Sequence, residues 1–228
     1  MKVLIKTPSQ SFIRSNTPTG EIKGFIQGGF AHGLFEYLLI LSPMGALRDK
    51  IIEEKKYFFE MYRNCCAIYG RPHITLANFL LPGSGENEII QHLIAISENQ
   101  NKMRVMLQDY KWFAQHTMYL NILYKVDIMQ LVRKITNKTT RVINSYSKFP
   151  PRFILEPHLT ICKELSVEQY AQSRIEYTRK RFSGSFTANE MILLKRNIGE
   201  KDRYEEVYRL EFGGTETLTT ILQGNLFQ

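Results

Sequence analysis

The pattern of apolar and polar residues changes its period several times along the chain. Residues 35–42 form a mostly apolar run, which predicts a buried β-strand. Apolar residues then recur at helical spacing from Leu47 to Tyr62, and Gly70 and Pro72 end the predicted helix. Another strand follows directly, so this part of the chain predicts a strand, a helix and a strand in that order.

The same order of elements returns further along the chain. Residues 118–126 predict a strand, residues 128–143 predict a helix with one apolar face, and two prolines break the chain before the next strand. Matching elements follow in both places, namely predicted helices over residues 86–99 and 167–181, predicted strands over residues 103–113 and 185–196, and a last predicted strand over residues 204–212.

This repetition predicts the architecture, because two similar units are expected to be related by a pseudo-twofold axis. We expect an α+β fold of two lobes, roughly residues 34–115 and 116–212, in which two antiparallel sheets face a central cleft and the helices lie outside. Residues 1–33 are rich in Ser, Thr, Pro and Gly and predict an irregular N-terminal arm, and residues 213–228 are expected to form a C-terminal tail.

Two short segments are the most specific part of the repeat. They are Arg71-Pro-His-Ile-Thr-Leu-Ala77 and Glu156-Pro-His-Leu-Thr-Ile-Cys162, and their histidines are 85 residues apart. Successive side chains on a strand point to opposite faces, so each histidine shares a face with the threonine about 7 Å further along the strand. If the two lobes are related by a twofold axis, both His-Thr pairs face the same cleft.

Two imidazoles and two hydroxyls facing one cleft suit the hydrolysis of a phosphodiester. One of His73 and His158 is predicted to act as general base and the other as general acid, because the unperturbed pKa of histidine is about 6.5, and the sequence leaves the assignment open. Thr75 and Thr160 are predicted to donate hydrogen bonds to the phosphate oxygens on which negative charge builds up. This chemistry requires no metal ion and no other cofactor.

The duplicated motif resembles the signature of the 2H phosphoesterase superfamily, a His-x-Thr or His-x-Ser flanked by aliphatic residues. That superfamily includes the 2′-5′ RNA ligase-like proteins and RNA 2′,3′-cyclic phosphodiesterases. The resemblance implies the two-lobed fold and a phosphodiesterase that acts on RNA ends or nucleotides carrying 2′,3′-cyclic phosphates or 2′-5′ linkages. It also implies a substrate-binding role for Lys163, because bacterial relatives often carry a basic residue five positions after the second histidine.

Other interpretations of these residues remain open. Lys195 and Arg196 end a predicted strand, so they are further candidates for substrate binding in the cleft. A protein that binds RNA or nucleotides without catalysis is the main alternative function. A metal site built on His73 and His158 is disfavoured, because a catalytic zinc usually has three protein ligands.

Composition and charge are less informative about function than the two motifs. The net charge of +8 and the pI near 9.3 favour anionic partners such as nucleic acid. The chain has three cysteines, no secretory signal pattern and no apolar stretch of about 18 residues, so we expect a cytoplasmic protein without a membrane span. A monomer is expected.

Overall fold

The computed structural model describes residues 33–67, 70–113, 116–198 and 203–217. The predicted N-terminal arm, except for Gly33, lies outside the described residues, as do residues 218–228 of the predicted tail. Within the described ranges, none of the helices combines the length and the apolar character needed to cross a membrane.

Helices and strands follow one another in nearly the predicted order. The helices are α1 (Gly45–Tyr62), α2 (Glu86–Ser97), α3 (Val126–Tyr146) and α4 (Val167–Tyr177), with short 3₁₀ turns at Cys65–Ala67 and Gly83–Gly85. The strands are β1 (Leu34–Leu41), β2 (Ile74–Pro82), β3 (Asn101–Phe113), β4 (Thr117–Ile122), β5 (Arg152–Phe153), β6 (Leu159–Cys162), β7 (Ser183–Ala188), β8 (Glu190–Asn197), β9 (Glu205–Glu211) and β10 (Gly214–Thr217).

The strands join in one curled sheet with the order β10-β3-β4-β6-β2-β1-β8-β9, and β5 and β7 lie beside β2 and β3. Neighbouring strands are antiparallel, except that β10 runs parallel to β3. The predicted α+β class and the duplicated arrangement are confirmed. The two sheets that were predicted are the two halves of a single sheet. The halves are joined where β2 pairs with β6, at Ile74 and Leu159.

The two halves of the sheet exchange strands, which the sequence does not reveal. Strand β3 comes from the first half of the chain but pairs with β4 and β7, whereas β8 comes from the second half but pairs with β1. The division into residues 34–115 and 116–212 therefore does not follow the sheet. The single strand expected over residues 185–196 is two strands, separated at Asn189 where the chain passes between the halves.

The main core lies between the sheet and the helices. Helix α3 shows the reason, because its apolar residues recur every three or four positions and form one stripe against the sheet. The buried members of this stripe are Ile128, Leu131, Val132, Ile135, Val142 and Ile143. A smaller apolar cluster of Ile40, Ile192 and Leu194 is separate from this core, with Leu38 and Tyr204 packed against it.

Hydrogen bonds from tyrosines to glutamates hold the helices in two pairs. Tyr62 donates to Glu176 at 2.6 Å, joining α1 to α4. Tyr146, the last residue of α3, donates at 2.8 Å to Glu88 in the first turn of α2. Each pair combines one helix from each half of the chain, so the pairing has the same pseudo-twofold symmetry as the sheet.

Candidate active site

The two motif strands, β2 and β6, run antiparallel and meet at Ile74 and Leu159. Both side chains are fully buried in the core between the sheet and the helices. Because side chains alternate along a strand, the residues before and after each of them point to the opposite face of the sheet.

The four motif side chains share that opposite face, which we call the motif face. Extending the register by one residue in each direction sets His73 opposite Thr160 and Thr75 opposite His158. Directly opposite side chains are about 5 Å apart, and diagonal ones such as the two histidines about 7–8 Å. The structure thus brings together the four residues that the motifs predicted, and all four are half-buried.

Each motif strand carries a β-bulge directly after its threonine. The register between β1 and β2 skips Leu76, and the register between β4 and β6 skips Ile161, three residues after the respective histidines. One extra residue reverses the alternation of faces. Beyond its bulge, β2 therefore buries Phe79 in the core, whereas Thr75, an even number of positions earlier, points to the motif face.

The two imidazole rings are held by the same hydrogen bond. Nδ1 of His73 lies 2.8 Å from the carbonyl oxygen of Arg71, and Nδ1 of His158 lies 2.8 Å from that of Glu156. A carbonyl only accepts hydrogen bonds, so each Nδ1 carries the proton and donates it. In the neutral ring Nε2 is then an unprotonated acceptor, and in the protonated ring it becomes a second donor.

Within the described part of the chain, neither Nε2 nor either threonine hydroxyl makes a hydrogen bond. The motif face therefore offers two imidazole nitrogens and two hydroxyls that are available to a ligand. A hydroxyl can rotate to donate to an anion, and an imidazole can accept or donate according to its protonation.

Burial lowers the pKa of His73 to about 4, against a partial upward effect of its bond to Arg71. The positive charges of Lys55 and Arg71, and His158 when protonated, lower this pKa further. His73 is consequently neutral, with an unprotonated Nε2, across the range from mildly acidic to alkaline pH.

The environment of His158 contains an acidic residue that the other histidine lacks. Burial again lowers its pKa, but the bond to the backbone carbonyl of Glu156 and the negative charge of the Glu156 carboxylate raise it. Lys125 forms an ion pair with Glu156, and it lowers the pKa of His158 together with Arg152. The two histidines thus make equivalent hydrogen bonds, but the charged residues around them differ.

A family model described as the 2′-5′ RNA ligase superfamily matches residues 69–200, which is more than half of the chain. The chain belongs to this superfamily. The match confirms the resemblance to the 2H phosphoesterases and indicates an enzyme of the phosphoesterase type. No curated protein sequence matches the chain.

Solved structures support the same fold. The chain is similar to LigT from E. coli in its apo form, with a TM-score of 0.59, 16% identity, and coverage of 78% of this chain and 98% of LigT. A structure described as a phosphoesterase gives a TM-score of 0.58 with 18% identity, covering 78% of this chain and 97% of that one. LigT of E. coli in complex with 3′-AMP gives 0.55 with 16% identity, covering 79% and 98%.

An aromatic pair borders His158 on the motif face of this superfamily member. Tyr119 lies opposite Thr160 in the sheet, and its ring stacks on Phe113 with centroids 4.2 Å apart. Both rings contact the imidazole of His158 edge-on, at centroid distances of 4.7 Å for Phe113 and 5.3 Å for Tyr119. Neither Phe113 nor Tyr119 belongs to the duplicated motifs, so the motif analysis did not include them.

The three basic residues expected to bind substrate are not in equivalent places. Lys163 follows β6 directly and is exposed, and its ammonium group lies 3.7 Å from the carboxylate of Glu164. Lys195 points to the helix side of the sheet, where its ammonium group lies 2.7 Å from Glu86. Because Lys195 points away from the motif face, Lys163 is the better-placed lysine for binding a substrate there.

Arg196 lies on the motif face but far along it. Its Nε donates to Glu36 at 2.6 Å, and Asn78 donates to the same carboxylate at 2.8 Å. Arg196 follows Ile192 by four residues, about 13 Å along β8, and Ile192 is in the row of Thr75. The structure does not bring Arg196 to the histidines.

Lys55 is a residue near the site that the motif analysis missed. It belongs to α1, is only 7% exposed, and forms no hydrogen bond or ion pair within the described residues. Burial lowers its own pKa, and its charge acts on His73 and Cys162. The sequence contains a usable signal, because Lys55 interrupts the apolar stripe between Ile51 and Phe58.

Metal-ligating residues do not cluster in the described ranges, where no three side chains of His, Cys, Asp or Glu lie together. The free thiol of Cys162 is buried, and burial raises its pKa to about 12. This thiol lies on the core side of the sheet and is not part of the motif face.

Proposed function

We propose that the protein is a metal-independent phosphodiesterase that hydrolyses 2′,3′-cyclic phosphates or 2′-5′ linkages in RNA or nucleotides. The observation that carries this proposal is the matched presentation of two imidazoles across one antiparallel strand pair. Each Nδ1 is held by a backbone carbonyl, and each Nε2 has no partner in the described chain. This arrangement suits an in-line displacement at a phosphate lying between the rings.

The charges near the rings favour His73 as the base and His158 as the acid. His73 stands near Lys55 and Arg71, which favour its neutral form, and a base must begin unprotonated. His158 stands beside Glu156, whose negative charge favours the protonated form that an acid needs. A bound phosphate raises the pKa of both rings, and the difference between their surroundings remains.

In the proposed reaction, Nε2 of His73 removes a proton from water as the water oxygen forms a bond to phosphorus. The bond between phosphorus and one ribose oxygen breaks, and that oxygen takes the proton from Nε2 of His158. Thr75 and Thr160 donate hydrogen bonds to the non-bridging oxygens, where charge increases. The cycle closes when the proton on His73 is lost and His158 is protonated again.

Nucleotides are the favoured substrates for two reasons. LigT of E. coli, which has the same fold, has been solved with 3′-AMP. In this chain the stacked rings of Phe113 and Tyr119 lie beside His158. Aromatic side chains at that distance from a phosphate site are suited to stacking on a nucleobase, which contributes about 1–3 kcal/mol per base. The cytoplasmic location and the monomeric state remain predictions.

The direct test uses purified protein in excess chelator. One reaction contains an RNA oligonucleotide ending in a 2′,3′-cyclic phosphate and another contains a 2′-5′-linked dinucleotide, and mass spectrometry identifies the products. We expect turnover of at least one substrate, and none by the double variant His73→Ala/His158→Ala.

Two results would contradict the proposal. Binding of both substrates without turnover would make the protein a binding module that retains the fold. Activity that disappears in chelator and returns with a divalent ion would replace acid-base catalysis by the two histidines with metal-ion catalysis.

A further inference from the structure

Arg152 lies on the motif face at a fixed position. It is the first residue of β5 and pairs with Asn78 of β2, while the next residue, Phe153, pairs with Ala77 and packs against the main core. The backbone N–H of Ile154 donates to the carbonyl of Leu76 at 2.9 Å and fastens the end of this short strand. Because neighbours on a strand alternate and the half-buried Phe153 packs against the core, Arg152 points to the face of the histidines.

Arg152 is an exposed basic residue near the site that has no partner among the described residues, whereas Lys55, which also has none there, is buried. Within the described residues its guanidinium makes no hydrogen bond and no ion pair, and the side chain is exposed. By contrast Lys125 pairs with Glu156, Arg71 lies 3.5 Å from Glu206, and Arg196 bonds to a glutamate. An exposed cation that no carboxylate neutralises is available to an anionic ligand.

Arg152 is also close to the reaction centre. Its charge acts on His158, whose pKa it lowers. Strand β2 connects the two positions, since Asn78 lies opposite Arg152 and Thr75 lies opposite His158. Because of the bulge at Leu76, the pair Asn78–Arg152 and the pair Thr75–His158 are separated by about two regular strand steps, roughly 7 Å. The long side chain of Arg152 can reach across this distance or extend away from it.

We propose that Arg152 binds a second phosphate of the substrate, the internucleotide phosphate next to the one that lies between the histidines. The inference rests on the proposed function and deepens it, because it names the substrate class. An enzyme with this second phosphate site favours a dinucleotide or longer RNA end over a cyclic mononucleotide, which has only the reacting phosphate. A guanidinium suits this role through paired, charge-assisted hydrogen bonds to phosphate oxygens.

The test compares two substrates that differ by one nucleotide. They are uridine 2′,3′-cyclic phosphate and the dinucleotide UpU ending in a 2′,3′-cyclic phosphate, and kcat/KM is measured for each. In Arg152→Gln the ratio of the dinucleotide value to the mononucleotide value falls by about tenfold or more, the usual effect of removing a hydrogen bond to a charged group. Arg152→Lys retains part of the ratio, because an ammonium group keeps the charge but not the paired hydrogen bonds.

The matched control is Arg133→Gln, which removes an exposed arginine from α3 on the helix side of the sheet and leaves the ratio as in wild type. An unchanged ratio in Arg152→Gln overturns the inference. An equal loss with both substrates also overturns it, since Arg152 then acts on the reacting phosphate. Unfolding midpoints of all variants are measured alongside, and the ratio is compared only among folded proteins.

A binding measurement separates this inference from the proposed function. Calorimetry compares uridine 3′-phosphate with the 3′-phosphorylated dinucleotide UpUp, and neither ligand needs to react. For UpUp, the logarithm of the binding constant falls with the logarithm of the salt concentration. In Arg152→Gln the magnitude of this negative slope is smaller by about 0.7, the value for one contact to a single-stranded phosphate. If the wild type hydrolyses neither cyclic substrate, the cyclic-phosphate part of the proposed function fails and this comparison still decides the role of Arg152.

Discussion

His73 and His158 make the same hydrogen bond from opposite sides of one strand pair: each Nδ1 lies 2.8 Å from the carbonyl oxygen two residues earlier. The preceding loop of each motif thus sets the tautomer and the orientation of its ring. Duplication of the motif duplicates this geometry, and the surroundings of the two rings differ in the nearby charges and in the aromatic pair beside His158. The predictions below test the geometry and the charges separately.

Removing either imidazole is expected to stop turnover without preventing binding. His73→Ala or His158→Ala should lower kcat by about 10²–10⁴, the usual contribution of general acid or base catalysis. The Kd of a product nucleotide, measured by calorimetry, should change much less. His92→Ala is the control, since His92 lies on α2, away from the motif face. Full activity per folded molecule in either motif variant would show that the ring is structural.

The threonine hydroxyls are expected to act on the transition state. Thr75→Val and Thr160→Val keep the shape of the side chain and remove the donor, so kcat/KM should fall by about tenfold to a hundredfold. Thr75→Ser and Thr160→Ser retain the hydroxyl and should recover most of this loss. Steady-state kinetics on all four variants make the comparison, and equal rates for the Val and Ser variants would exclude the hydroxyls from the reaction.

Lys55 is expected to set the acidic limb of the pH profile. Its positive charge lowers the pKa of His73, so Lys55→Met removes the repulsion and raises that pKa. His73 then loses its basic form at a higher pH, and the acidic limb of kcat/KM moves upward. Lys56→Met, at the exposed neighbouring position, should leave the limb where it is. A downward shift in Lys55→Met would contradict the assignment of His73 as the base.

Glu156 is expected to set the alkaline limb. Its carboxylate raises the pKa of His158, so Glu156→Gln lowers that pKa and leaves the charge of Lys125 unbalanced in the same direction. His158 then loses its proton at a lower pH, and the alkaline limb of kcat moves downward. Glu53→Gln, at an exposed position of α1, is the control. If Glu156→Gln moved the acidic limb instead, the roles of the two histidines would be reversed.

The neutral, half-buried ring of His73 is expected to make the fold sensitive to acid. The pKa of His73 is about 4 in the folded protein and about 6.5 in the unfolded chain. Between these values the unfolded chain binds more protons, so stability present at neutral pH declines as the pH falls from about 6.5 towards 4. His73→Gln should remove about 1–3 kcal/mol of this decline between pH 7 and pH 4.5 in urea unfolding, whereas His92→Gln should remove little. An identical decline in wild type and His73→Gln would argue against a neutral His73 ring with a lowered pKa.

The sequence predicted the repeated order of elements and the two motif strands because both depend on local patterns. Apolar residues alternate or recur at helical spacing within a few turns, and Gly70 and Pro72 mark the end of a helix. The strand exchange was missed because pairing partners are distant in the chain. No local pattern near Asn189 indicates that β7 pairs with β3 and that β8 pairs with β1.

By itself the sequence determined which chemical groups are present and that they occur twice: His73 with Thr75, and His158 with Thr160. Only the tertiary structure decided that they share one face. The pairing of Ile74 with Leu159 puts the four side chains on one face, and the bulges at Leu76 and Ile161, which follow the threonines, reverse the alternation only beyond the motifs. A bulge is defined by pairing with another strand, and charge effects such as those of Lys55 on His73 depend on distances through space. Neither is a local property of the chain, and for that reason neither follows from its sequence pattern.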